Sequence, residues 1–267
     1  MRHWRAHPPR GLRIVPQYRS EVAGLVWSPL AGPDAFVTWA KDQGGVAGLI
    51  FLSGVTPGRG APIEDNVALM EAGLHAAFAA GVGRMLVASS SAVYGAGEGV
   101  PLTESAPTHP VNDYGRAKHA AEALCVGATD IDLCRMRIGN VAGADALLLN
   151  VPKATADAPF RLDRFADGGG PVRSYIGPAT LALVLETLAR HEGRLPEVLN
   201  IGAPRPLAMQ DLLAAAGAPF VWVPAPATAL QHITLNCAGL AALHDFAPSN
   251  SDPAAMVAQW QDLRDVR

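Results

Sequence analysis

The chain has 267 residues, 49% of them apolar and 17% charged, which is enough to bury a core and too apolar for a disordered segment. Its net charge of -3 comes with no basic block and no basic amphipathic face, which argues against nucleic acid and membrane surfaces as partners. Apolar runs are broken by Gly, Pro or charge well short of the ~18 residues of a membrane span, and residues 1–5 are basic but lead into no apolar signal core.

In chain order, residues 12–18 are predicted as a strand. Residues 48–53 (GLIFLS) are a second, apolar almost throughout, as a strand buried on both faces requires. Residues 63–80 follow as a helix, with Val67, Met70, Leu74 and Phe78 at helical spacing. Residues 85–89 are the next strand, 114–125 an Ala-rich helix, 131–138 a strand, 181–191 a helix and 198–201 a short strand. This alternation predicts an α/β fold, a doubly wound parallel sheet covered on both faces. The pattern loosens over 144–176 and again after 204. The core is therefore assigned to 1–143 and 177–203, and a smaller substrate-binding lobe to 144–176 and 204–267.

Cys125, Cys134 and Cys237 are scattered and form no CxxC pair, so neither a disulfide framework nor a zinc site is expected. A reducing, cytoplasmic location fits this usage. No His/Asp/Glu spacing suggests a metal. His75, His119 and His191 read as surface or satisfied helix residues. Trp4, Trp27, Trp39, Trp222 and Trp260 read as packing, and Asp113 as a helix cap.

Tyr114 and Lys118 have the YxxxK spacing, which puts both on one helix face. An ammonium one turn from a phenol pulls the phenol's pKa down, and a depressed phenol can exchange protons with a hydroxyl or carbonyl. Alone, this pair is common on solvated helices. Ser89, Ser90 and Ser91 follow the predicted strand 85–89, at the carboxyl end where open α/β sheets bind ligands. A single Ser there is a strand cap; the serines together with YxxxK point to catalysis.

With SSSAVYG at 89–95 and YGRAK at 114–118, the chain resembles the extended short-chain dehydrogenase/reductase family, which includes NAD-dependent sugar-nucleotide epimerases and dehydratases. Asn66-Val67, Arg137-Ile-Gly-Asn140-Val141 and Asn200-Ile-Gly202 fall in the family's order. The resemblance implies a Rossmann-like core with a small C-terminal substrate lobe. It also implies an NAD- or NADP-dependent oxidoreductase or epimerase acting on a hydroxyl or carbonyl of a small polar substrate, such as a sugar or nucleotide sugar. The alternative is a non-catalytic relative, a binding or regulatory module unable to hold dinucleotide. The partners expected are the small-molecule substrate and, as an open option, a second copy in a homodimer.

By position in these motifs, Tyr114 is implied as the acid/base and Lys118 as its partner and a ligand of the nicotinamide ribose. Ser90 is implied to orient the substrate oxygen, with Ser91 beside it on the substrate side as the fallback. Leu30, Leu52, Ser53, Gly54, Asn66 and Val141 are implied to face the cofactor. Asn140 faces the substrate, and Arg173 falls where many relatives hold a substrate phosphate. Arg19 ends the second strand, where an acid favours NAD and a base NADP, so the lean is slightly to NADP. Dehydratase relatives carry an Asp-Glu pair after the active-site hydroxyl; Ser91 and Ala92 stand there, so 4,6-dehydration is not expected.

The family opens with a strand, a Gly-rich turn and a helix whose N-terminus holds the pyrophosphate. Residues 1–7 resemble the tail of that helix and 12–18 the second strand, so ~20 residues of opening are expected upstream. A start upstream of Met1, or a shortened chain, is favoured over a remnant that lost the strand. Gly54, Gly58 and Gly60 match GxxxGxG formally, but Pro57 and Pro62 interrupt any helix start, so a loop is expected there.

Overall fold

Four of the predicted strands pair into one parallel sheet in the computed structural model, which describes residues 1–20, 24–58, 60–97 and 99–265. The elements begin with helix α1 (Arg2–Ala6), strands β1 (Gln17–Tyr18) and β2 (Leu25–Val26), α2 (Asp34–Asp42), β3 (Gly48–Phe51), α3 (Asp65–Ala79), β4 (Arg84–Ser90), α4 (Asp113–Ala123) and β5 (Asp132–Ile138). They continue with β6 (Asn140–Val141), α5 (Ala146–Asn150), β7 (Phe160–Arg164), β8 (Val172–Arg173), β9 (Tyr175–Ile176), α6 (Pro178–Arg190) and β10 (Val198–Ile201). β11 (Leu207–Ala208), α7 (Met209–Ala215), β12 (Phe220–Pro224), β13 (His232–Ile233), α8 (Ala238–Ala241) and α9 (Pro253–Asp265) complete the order.

The central sheet runs β10-β5-β4-β3, all parallel. Parallel neighbours need crossovers, and helices α3, α4 and α6 lie between the successive strands of the chain. Side chains alternate along β4. Met85 and Val87 enter one core with Leu74, Ala77, Ala121 and Leu133. Leu86 enters the other, with Met136, Val184, Leu188, Leu199 and Ile201. That double burial is why the stretch from Met85 to Ala88 is apolar throughout. Away from the central sheet, β7 and β12 pair in parallel, and Leu162, Leu213 and Ala218 form a small core beside them.

Two expectations fail at the amino end. Of residues 12–18, only Gln17 and Tyr18 form a strand, and it pairs with β2 rather than with the central sheet. β3 was expected buried on both faces, yet only Phe51 is buried; Gly48 is exposed, Leu49 and Ile50 are half-buried, and Leu52 just beyond is 48% exposed. The reason is geometric. β3 pairs with β4 alone, and a cavity of about 630 Å³ separates its other edge from residues 12–17.

Helices α2, α7 and α9 lie where no helix was expected. Pro33 directly precedes α2 and Pro253 opens α9. A proline at or just before a helix start is accommodated because its fixed φ suits the first turn. In α9, Met256, Val257 and Trp260 supply a buried face at helical spacing. The three cysteines are buried, and burial pushes the Cys134 and Cys237 thiols up to about 12. Among the described residues, no helix is long and apolar enough to cross a membrane.

Candidate active site

β4 ends on Ser89 and Ser90, and the chain then turns through a short 3-10 helix, Ser91–Tyr94. The Ser90 side chain caps this turn, accepting from the Ala92 N–H at 3.2 Å. α4 packs onto the same turn. Gly115 permits the approach, since a Cβ there would lie 2.5 Å from the Ala92 carbonyl oxygen. The N-cap of α4 is Asn112, not Asp113: the Asn112 side chain accepts from Gly115 N–H at 2.8 Å, while Asp113 faces Arg116 across an exposed ion pair.

This packing brings the Tyr114 phenol to Ser90 and, one helical turn on, Lys118 to β4 at Ala88. The Ser90 hydroxyl sits against the Tyr114 phenol and favours its ionised form, but burial is the larger effect and pushes the phenol above its ordinary value. The lowered phenol expected from YxxxK is therefore absent in this state. The Lys118 ammonium donates instead to the Ala88 carbonyl at 2.8 Å. Burial pulls that ammonium down to about 8, opposed by the Glu122 carboxylate one turn on.

Lys118 also meets the loop after β3. A Cβ on Gly54 would lie 3.1 Å from Lys118 Nζ and 3.0 Å from Asn66 Oδ1, so the backbone passes close to both. Asn66, buried at the start of α3, pins that loop: Oδ1 accepts from Val55 N–H, and Nδ2 donates to the Val55 and Ile63 carbonyls. No helix starts at Gly54, Gly58 or Gly60, where the backbone runs as turn and coil.

Of the other expected residues, Leu52 and Val141 line one cavity of about 540 Å³, and Leu52 and Ser53 line the larger cavity at the β3 edge. Asn140 lies in β6 beside Tyr175, and Ser91 opens the 3-10 turn. Arg19 and Leu30 are exposed. The Arg173 guanidinium is taken up by the backbone, donating to the Val172, Gln231 and Leu230 carbonyls.

A buried network that sequence reading missed lies behind the cluster. Arg137 on β5 donates through Nε and Nη2 to the Glu122 carboxylate, with both side chains under a tenth exposed. Its guanidinium lies 4.7 Å from the Tyr94 ring centroid and donates to the Glu104 carbonyl. The Tyr94 hydroxyl donates to Asn200 on β10. The available signal was Glu122 itself, an acid four residues after Lys118 and so on the same helix face.

Residues 32–202 match the model of the NAD dependent epimerase/dehydratase family. Over 158 residues the chain is 32% identical to a UDP-glucose 4-epimerase of Streptomyces lividans, covering 52% of this chain and 48% of that protein. The chain spans about half the length of the curated relatives it matches. Solved structures that share its fold include two that hold NAD. One is UDP-glucose 4-epimerase from Brucella ovis in complex with NAD, with TM-score 0.73, 21% identity, and 92% of this chain and 86% of that one covered. The other is the Bordetella bronchiseptica enzyme WbmG in complex with NAD and UDP, with TM-score 0.73, 20% identity, and 98% and 90% covered. Neither names NADP, and the lean to NADP drawn from Arg19 finds no support in them.

Proposed function

The chain belongs to the NAD dependent epimerase/dehydratase family, and from that membership we propose that it is built to epimerise a hydroxyl-bearing carbon of a nucleotide sugar, of the UDP-sugar class, with NAD. The observation that carries this reading is the cluster of Ser90, Tyr114 and Lys118 at the carboxyl end of β4, closed off by Gly54 and Asn66. The nicotinamide end of a dinucleotide fits what is there: Lys118 and Tyr114 for the ribose, Leu52 and Val141 for the ring. Bound there, the cofactor would accept and return a hydride. Tyr114 would take the proton of the substrate hydroxyl and give it back, while Ser90 donates a hydrogen bond to the same oxygen. Lys118, released from the Ala88 carbonyl, would hold the phenolate by its charge. Asn140 and Ser91 would contact the sugar. With Ser91 and Ala92 after Ser90, the site lacks the acid/base pair that expulsion of water needs.

The test is 4-epimerisation of UDP-glucose by the chain with added NAD, and by Tyr114→Phe. The variant should lose turnover by ~10²–10⁴-fold, the contribution of a general acid/base, with an unchanged melting temperature. Wild-type kcat in the variant removes Tyr114 from the mechanism. The second reading, a non-catalytic binding or regulatory module unable to hold dinucleotide, is favoured by the Lys118 ammonium resting on a backbone carbonyl rather than serving the phenol. No change in nicotinamide fluorescence on titration with NADH, together with no epimerisation, would select it.

A further inference from the structure

Tyr94, Arg137 and Asn200 each belong to a motif block, yet the proposed reaction uses none of the three. Asn200, on β10, is fully buried and engages its whole side-chain amide. Nδ2 donates to the Leu102 carbonyl at 2.9 Å and to the Asn236 carbonyl at 3.0 Å, and Oδ1 accepts from the Tyr94 hydroxyl at 2.8 Å. Carbonyls can only accept, so these two fix which way the amide faces, and Tyr94 must then be the donor. Burial pushes the Tyr94 phenol above its ordinary value, which keeps that proton in place.

These bonds join segments far apart in the chain. Tyr94 ends the 3-10 turn that Ser90 caps. Leu102 lies in the loop beyond it and pairs with Leu235: its N–H donates to the Thr234 carbonyl and its carbonyl accepts from the Asn236 N–H, both at 2.8 Å. Glu104 in the same loop accepts from the Asn200 N–H at 3.0 Å. On the other side of Tyr94, the Arg137 guanidinium over its ring is held by Glu122 of α4, one turn past Lys118. The Ser90 turn is thus fastened at Tyr94 both to the helix that carries Tyr114 and Lys118 and, through Asn200, to the segment after β13. Val93 and Tyr94 also pack with Leu235 and Cys237, but apolar contact has no direction. The hydrogen bond from Tyr94 to Asn200 supplies the direction that sets the turn's register.

We propose that Tyr94 and Asn200 are a positioning pair, whose hydrogen bond sets where the Ser90 hydroxyl stands against the Tyr114 phenol. This role rests on the reading of Ser90 and Tyr114 given above, so its test joins turnover to a measurement that needs none. Tyr94→Phe keeps the ring beneath Arg137 and removes only the donor. With UDP-glucose and NAD it should lower kcat by about 10–100-fold, the effect of a small misplacement of a reacting group, and leave KM within about twofold. Asn200→Ala removes the partner from the other end and should lower kcat likewise, so either variant decides if the other fails to fold. The double variant should lose no more kcat than the worse single one, because both break the same bond. Amide exchange at Ala92 and Gly95, which reports the turn, should quicken by about 10-fold in each variant. If the wild-type chain does not epimerise, the reading of the reaction falls, and these exchange rates still decide the proposal. Wild-type kcat in folded Tyr94→Phe, losses that multiply in the double variant, or unchanged exchange at Ala92 and Gly95 overturns it.

Discussion

β4 and β3 are neighbours in one parallel sheet and carry equally apolar paired segments, Met85–Val87 and Leu49–Phe51, yet the surroundings of these differ completely. Met85, Leu86 and Val87 on β4 are at most 1% exposed, with paired strands on both edges and a core on both faces. Their register partners Leu49, Ile50 and Phe51 on β3 have a paired strand on one edge only, and two of the three are half-buried. The side of the sheet that carries the candidate active site is therefore closed and fully packed, while the amino-terminal side is open. An apolar run states that a strand can be buried; the neighbours decide whether it is.

The largest stability effect should fall on the closed side. Glu122→Ala leaves the Arg137 guanidinium buried without its carboxylate, a loss of about 3–5 kcal/mol, checked by urea unfolding. A loss under ~1 kcal/mol, the range of exposed ion pairs, would show that water reaches this network and would break the contrast between the two sides.

Paired core truncations test the contrast directly. Leu86→Ala should cost about 2–5 kcal/mol by leaving a cavity, and Ile50→Ala about 1 kcal/mol, because its half-buried side chain already borders the cavity at the β3 edge. Equal losses would mean that the β3 edge is as well packed as β4.

Lys118 gives a pH signature. It titrates near 8 when folded and at the ordinary lysine value when unfolded. Between those values the unfolded chain holds the extra proton, so stability rises with pH across that window and this group is most unfavourable below about 8. Lys118→Met should therefore stabilise the protein at pH 7, by on the order of 2–3 kcal/mol, with the advantage gone by about pH 10.5. Melting curves of both proteins at three pH values check this; a variant less stable at pH 7 would show that the Ala88 contact outweighs desolvation.

The smallest effect belongs to the helix cap. Asn112→Ala removes the acceptor of the Gly115 N–H and should cost about 1 kcal/mol. Asp113→Ala, which touches only an exposed ion pair, should cost less than half of that. The reverse order would return the cap to Asp113.

The alternation of apolar runs and the pair of motifs around Ser90 and Tyr114 were enough to read the sheet, its crossovers and the family from the chain alone. They are local signals: a buried strand must be apolar, and residues four apart on a helix must share a face. Asn66, Gly54 and Lys118 were legible as separate motif positions, but their meeting depends on how far the loop after β3 folds back. Tertiary structure decided the rest. Whether Tyr114 is raised or lowered depends on burial set by the turn at Ala92 and on where the Lys118 ammonium points. Whether Glu122 is a surface acid or half of a buried pair depends on Arg137, 15 residues later on another element. Whether GLIFLS is a core strand or an open edge depends on a wall formed by residues 12–17. Desolvation and pairing are properties of neighbours brought together by the fold, and no spacing along the sequence contains them.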